Sequence, residues 1–307
     1  MIKKEKIKFN ILANYIAKKD KNLGKKISKI KFKDKNSQKI LSSVLKILNV
    51  LLKSYKLNLS NACEAYVELC RETLKEQFYL KKNNTYRSIN ENINNLNLYN
   101  SYKKMKSYLV GLLLTQIFWS HHTKILLWFL KNIQKNHKIK NYLEIGAGHG
   151  LFSVILKSQK NINGTILDIS SSSINILKKV FKKIKMDRDI LFIKKDFLRY
   201  KTKNKFDFII MGEVIEHVKK PINFLKKSKN LLNNQGQIFL TTCANCAQHD
   251  HLFHFKNITH IKKIIKQSGL SISKELIIPS EKLPKIKWKK EKISISYCAF
   301  LKKTFNI

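Results

Sequence analysis

Up to about residue 136, apolar side chains recur at helical spacing. From Ile139 onward they gather into short runs. Residues 1 to about 38 are Lys-rich and weakly periodic, which predicts a loose arm with some helix. From Ile40 the spacing becomes helical through Leu41, Val44, Leu45, Leu48, Leu51 and Leu52. Ser60-Asn61 predicts a cap before a helix over Ala62–Tyr79, with Tyr66, Leu69, Cys70, Thr73 and Leu74 on one face. An Asn-rich connector, Asn83–Asn100, precedes two further helices at about 101–118 and 121–136. Beyond Ile139, strands at 141–146, 164–168, 190–194, 206–211 and 236–242 alternate with helices at about 150–159, 171–185, 219–232 and 257–268. Such alternation predicts βαβ units and a parallel sheet. Two more strands, about 270–278 and 292–302, close the chain, with Pro279 and Pro284 between them. The pattern divides the chain into an all-α segment, 1–138, and an α/β domain, 139–307.

Composition changes this picture little. The formal charge of +42 would ordinarily point to nucleic acid or an acidic membrane surface. Nearly all of it is Lys, however, and Arg, the residue suited to bidentate phosphate contacts, occurs only at 71, 87, 188 and 199. Heavy use of Lys, Asn and Ile together is what an AT-rich coding sequence imposes, so the charge is discounted. Acids become the informative residues, because there are only 20. The five cysteines are widely spaced and define no disulfide framework. Lys3, Lys4, Glu5 and Lys6 are followed by no apolar signal core. The most apolar stretch, Leu109–Leu130, is broken by Gln116 and Ser120–Lys124 and predicts no membrane span. A reduced, cytoplasmic enzyme is expected.

The chemistry concentrates at the ends of the expected strands. Tyr142-Leu143-Glu144-Ile145 runs into Gly146-Ala147-Gly148-His149-Gly150, and a helical pattern follows. Glycines permit backbone angles that other residues avoid and let a ligand approach the main chain closely. In an open α/β sheet this turn lies where ligands bind. The second strand ends in Asp168, placed to accept from both ribose hydroxyls of an adenosine-containing ligand, with Ser170–Ser173 as helix caps. The third ends at Asp196-Phe197, and the fourth runs into Gly212-Glu213-Val214-Ile215-Glu216-His217. If 213–218 turn helically, Glu213, Glu216 and His217 share one face, and the two carboxylates require a cation or a proton between them. The fifth strand leads to Cys243-Ala244-Asn245-Cys246 and then His249-Asp250-His251-Leu252-Phe253. The Cys-x-x-Cys spacing lacks a second well-spaced pair, and Cys243 still belongs to the strand, so spacing alone defines no zinc site.

This ordered series resembles the class I S-adenosylmethionine-dependent methyltransferases over about 139–307. The resemblance implies a Rossmann-like, seven-stranded, mostly parallel sheet with the last strand inserted antiparallel, preceded by an all-α N-terminal domain. It implies that Glu144, Gly146, Gly148, Gly150, Asp168 and Glu213 hold S-adenosylmethionine, that Asp196 accepts from the adenine amino group, and that Phe197 packs on the ring. The E-x-x-E-H stretch resembles two branches, the ubiquinone-biosynthesis type of O-methyltransferase and the small-RNA 2′-O-methyltransferases. In the second branch these residues, with a histidine of an H-D-H element, hold a divalent metal. Glu213, Glu216, His217 and either His251 or His249 would then bind Mg²⁺ or Mn²⁺. Either His217 as general base or such a metal could activate a hydroxyl. The expected reaction is O-methylation of a small molecule, such as a polyketide or other secondary metabolite, free or carrier-bound, with the helical segment as lid or acceptor pocket. RNA is the alternative acceptor.

Overall fold

The computed structural model describes residues 9–87, 102–136, 138–159, 161–281 and 283–304. Seven strands form one sheet in the order β3-β2-β1-β4-β5-β7-β6. They are β1 (Asn141–Ile145), β2 (Asn163–Asp168), β3 (Ile190–Lys194), β4 (Phe206–Gly212), β5 (Leu232–Ala244), β6 (Leu270–Pro279) and β7 (Ile295–Lys303). β7 runs antiparallel to both β5 and β6, while the other pairings are parallel. Strand order reverses beside β1, whose neighbours are β2 and β4, and a ligand crevice opens at such a reversal.

Both sheet faces are covered, which explains the nearly unbroken apolar runs. Alternate side chains serve opposite layers. Tyr142, Ile166, Phe208, Ile210 and Phe239 enter one apolar cluster, and Leu143, Ile145, Leu167, Ile209, Met211 and Ile238 enter the other. The second layer is closed by α9 (Pro221–Leu231) and α10 (Ile258–Gln267). The first contains α7 (Leu151–Gln159) and α8 (Ser171–Lys183) together with the helical segment.

That segment comprises α1 (Phe9–Lys19), α2 (Lys21–Ile27), α3 (Lys35–Ser54), α4 (Leu59–Asn83), α5 (Tyr102–Phe118) and α6 (Ser120–Gln134). It shares one continuous apolar cluster with the sheet: Leu12, Val44, Leu113 and Phe129 belong to the same cluster as Tyr142 and Phe208. Within the stretch expected as a loose arm with some helix, residues 9–27 form two helices, with Leu12, Ile16 and Ile27 buried. Their order comes from caps the Lys-rich sequence conceals. Asp20 accepts from the amides of Asn22 and Leu23, and Asp34 from those of Asn36 and Ser37. α4 begins earlier than expected, because Asn58 and Asn61 cap each other's backbone. Its apolar face breaks after Cys70, where Leu74 turns outward, 56% exposed, and resumes at the buried Leu80. Residues 88–101, most of the Asn-rich connector, and residues 1–8 lie outside the described residues. Among those described, no helix is long and apolar enough to cross a membrane. The apolar stretch around Leu109–Leu130 is core instead.

Candidate functional site

The turn after β1 is built by three glycines in left-handed conformations, with φ of +64° at Gly146, +53° at Gly148 and +73° at Gly150. A side chain at Gly150 would be strained by its φ and would strike Leu177 Cδ2 at 2.7 Å. Among the described residues, a Cβ at Gly148 would meet only Leu109 Cδ2 of α5, at 3.7 Å, so the turn's outer side lies beneath α5. Asp168 is buried at the end of β2. Its carboxylate accepts from the Ser170 amide at 2.8 Å, the Ser173 hydroxyl at 2.9 Å and the backbone of Gly148. Burial pushes its carboxyl up, and those hydrogen bonds oppose the shift. Asp168 and the glycine turn therefore adjoin across the ends of β1 and β2, and this cradle fits the ribose and backbone-facing parts of S-adenosylmethionine.

Glu144 and His149 play framework roles at this turn. Glu144 Oε2 accepts from the amide and the hydroxyl of Ser153, tying β1 to the first turn of α7. Burial raises its carboxyl to about 7. His149 Nδ1 accepts from the Leu151 amide at 3.3 Å, which places its proton on Nε2, and burial lowers it to about 4. Asp196 caps the turn after β3, accepting from the Leu198 amide at 2.8 Å. Phe197, expected against the adenine ring, is instead core. It is buried, with its ring 5.2 Å from that of Phe224. The single turn Phe197–Arg199 rotates Phe197 inward and Leu198 outward. Leu198 (42% exposed) and Ile169 (61% exposed) are the apolar side chains displayed beside Asp196 and Asp168. Ile169 directly follows the acid that ends β2, an available signal, whereas Leu198 stands two residues after Asp196 and had none.

The E-x-x-E-H stretch does not present a helical face. The Glu213 amide donates to the Thr241 carbonyl and hydroxyl at 3.1 and 3.0 Å, which extends β4 along β5. The chain then turns through a left-handed Glu213, φ +52°, and only Ile215–His217 form a short 3-10 turn. Glu216 is fully buried. Its Oε2 accepts from Thr242 Oγ1 at 2.8 Å, whereas Oε1 has no hydrogen-bond donor. Burial and then the neighbouring Glu213 carboxylate push its carboxyl far up, so the pair shares a proton or needs a cation.

The H-D-H loop folds back over this stretch. The amides of Leu252 and Phe253 both donate to the Glu216 carbonyl, at 2.8 and 2.9 Å. His217 Nδ1 lies 3.1 Å from the Asp250 carbonyl and 3.4 Å from its Oδ2. A carbonyl only accepts, so Nδ1 carries the proton and Nε2 keeps a lone pair. Tyr108 of α5 donates to Asp250 Oδ2 at 3.1 Å. His251 Nδ1 likewise donates to the Cys246 carbonyl at 2.8 Å, and burial lowers its imidazole to about 3. The rings of His217 and His251 are 4.8 Å apart. His249 is directed elsewhere, toward Glu72 of α4 at 4.0 Å and the Tyr108 ring.

The expected metal ligands separate into two groups among the described residues. One is Glu216, Cys243 and His251; the other is His217, Asp250 and His251. Glu213 joins neither. The all-oxygen-and-imidazole set for Mg²⁺ or Mn²⁺ is thus not assembled as expected. Cys243 sits near the end of β5, and the mutual influence of its thiol and that of Cys246 makes Cys243 harder and Cys246 easier to deprotonate.

α4 and α5 roof this loop. Gln77 Nε2 donates to the Asn245 carbonyl at 3.0 Å, and its Oε1 accepts from the Ala247 amide at 3.1 Å. Tyr86, just beyond α4, donates to the Cys246 carbonyl at 2.5 Å and stacks on His254. Asp250 and Tyr108 were not foreseen as site residues. Asp250 is one of the scarce acids, lying between two histidines, and was legible as a candidate. Tyr108 carries no local signal.

A family model described as a methyltransferase domain matches residues 118–273, half of the chain. The protein belongs to this family, in its class I, S-adenosylmethionine-dependent form. The chain is 33% identical to the ubiquinone biosynthesis O-methyltransferase of Pelagibacter ubique, over 36% of this chain and 49% of that protein. It is 30% identical to the malonyl-[acyl-carrier protein] O-methyltransferase 2 of Ilyobacter polytropus, over 36% and 42%. It therefore spans half or less of the length of these curated relatives. A solved S-adenosylmethionine-dependent methyltransferase from Clostridium acetobutylicum superposes with a TM-score of 0.50 at 13% identity, over 66% of this chain and 99% of that one, a likeness of fold.

Proposed function

We propose that the protein O-methylates a small molecule, free or carrier-bound, with His217 as general base. The observation that carries this reading is the Tyr108–Asp250–His217 chain, which fixes the imidazole with Nδ1 protonated and leaves Nε2 to accept a hydroxyl proton. S-adenosylmethionine, when bound, supplies an activated methyl on a sulfonium. The chain's part is to orient donor and acceptor, exclude water and take the proton. Gly146, Gly148 and Gly150 would hold the donor's backbone-facing side and Asp168 its ribose. Asp196 would accept from adenine, with Ile169 and Leu198 flanking the ring. Residues 1–138 would act as the cover on the acceptor side. The named relatives act on oxygen, and one name includes an acyl carrier protein, which favours these acceptor classes.

An RNA 2′-hydroxyl fits less well. An RNA end needs an open basic groove to reach His217, whereas Asp250 and His251 are buried beneath α4 and α5. All five cysteines are free thiols, which suits a reducing cytoplasm. The test is transfer of labelled methyl from the donor into cell extract, followed by fractionation. Label in small molecules or on a carrier, dependent on His217, supports the proposal; label in RNA overturns it.

A further inference from the structure

The donor atoms beneath the H-D-H loop are not those of a magnesium site. One ligand atom from each of Glu216, Cys243 and His251 lies within 4.8 Å of the other two. Cys246, three residues on from Cys243, lies outside that group, but each thiol shifts the other's proton affinity. Ligands of a tetrahedral zinc ion, at about 2.0–2.3 Å from the metal, stand about 3.3–3.8 Å apart, so a contraction of about 1 Å would close the set of Glu216, Cys243 and His251. We infer that Glu216, Cys243 and His251, with Cys246 closing in as the fourth ligand, form a binding site for a single zinc ion.

Three further features converge on it. Glu216 Oε1 is buried without a hydrogen-bond donor, and a cation would satisfy it. Its other oxygen is fixed by Thr242, and His251 Nδ1–H is fixed by the Cys246 carbonyl, so Nε2 is the free ligand atom. Such outer hydrogen bonds are what orient metal ligands. A mixed thiolate, imidazole and carboxylate set selects zinc over Mg²⁺ or Mn²⁺. Binding is a proton exchange with no redox change: the ion enters, and the thiol protons, together with any proton shared by Glu216 and Glu213, leave to solvent. The site braces the same loop that carries Asp250, and it is independent of whether His217 is the base or a hydroxyl the acceptor.

The test uses the full chain, prepared under reducing conditions, stripped with chelator and titrated with Co²⁺ alone. One equivalent should bind, with thiolate-to-cobalt charge-transfer absorption in the near ultraviolet that Zn²⁺ then displaces. Cys243→Ser should lose that band, and Cys63→Ser, in the helical segment, should keep it. In the unaltered protein, Zn²⁺ should slow alkylation of Cys243 and Cys246 by iodoacetamide at least 10-fold, a readout that needs no variant to fold. Absence of the band, its persistence in Cys243→Ser, unprotected thiols, or a Cys243–Cys246 disulfide in the reduced preparation would each overturn the inference.

Discussion

On the function proposed above, the donor side and the acceptor side are made in different ways. The donor side is backbone: three left-handed glycines and a strand-end acid, each within a few residues of the turn it shapes. The acceptor side is assembled from side chains far apart in sequence. Tyr108 reaches Asp250, and Gln77 and Tyr86 reach the loop at 245–247. A local construction is robust to change elsewhere in the chain and recurs wherever the same ligand is held. A dispersed one depends on the whole helical cover, and that is where a choice of acceptor can be altered without disturbing the donor.

Four experiments press on this contrast. The largest effect is expected from His217→Ala, which should lower turnover by about 10²–10⁴-fold while calorimetric donor affinity stays unchanged. A loss of donor affinity would merge the two sides. Next, Asp168→Ala should weaken donor binding by about 100-fold, since hydrogen bonds to a charged group contribute about 1.5–3 kcal/mol each. Unaltered affinity would remove Asp168 from the donor cradle. Tyr108→Phe removes one donor from Asp250 and should reduce kcat by about 5- to 30-fold without moving donor affinity, as one lost hydrogen bond of about 1–2 kcal/mol implies. If instead donor affinity falls, α5 serves the donor side.

The smallest effect is on stability against pH, and it belongs to the donor turn alone. Glu144 sits at about 7 in the folded chain against an ordinary 4.5. The native state therefore holds its proton more tightly, and that contribution is complete below pH 4.5 and disappears as pH rises through 7. His149 sits at about 4 against 6.5, so its contribution is complete above pH 6.5 and disappears as pH falls through 4. Together they place the turn's best stability near pH of about 5.5. Between pH 4.5 and 6.5 the two slopes oppose each other, so denaturation midpoints should form a shallow plateau there, and Glu144→Gln should abolish the alkaline fall and leave a rise from pH 4 to 6.5 set by His149. A steepened alkaline limb in that variant would refute the assignment.

The same contrast explains what the sequence disclosed. The succession of strands and helices and the glycine turn were legible, because short apolar runs and glycine spacing are local signals. The buried strand-end place of Asp168 followed from the same pattern, and its hold on the donor is what Asp168→Ala tests. Phe197 was misplaced because one 3-10 turn decides which of two adjacent apolar residues faces inward, and no pattern in three residues reveals that. The helical reading of 213–218 failed because β4 continues to pair with β5 through Glu213, a tertiary effect overriding spacing. Asp20 and Asp34 ordered a segment whose lysines hid it. Tyr108 was invisible because a tyrosine among aliphatic residues looks the same whether it fills a core or touches an acid.

The bonds from Gln77 and Tyr86 to the loop span 168, 170 and 160 residues of chain. Contacts so distant close late in folding, after the loop-closure entropy of everything between them has been met. A nascent chain would therefore complete its glycine turn well before its acceptor loop, and the ability to bind donor should appear ahead of the ability to use it.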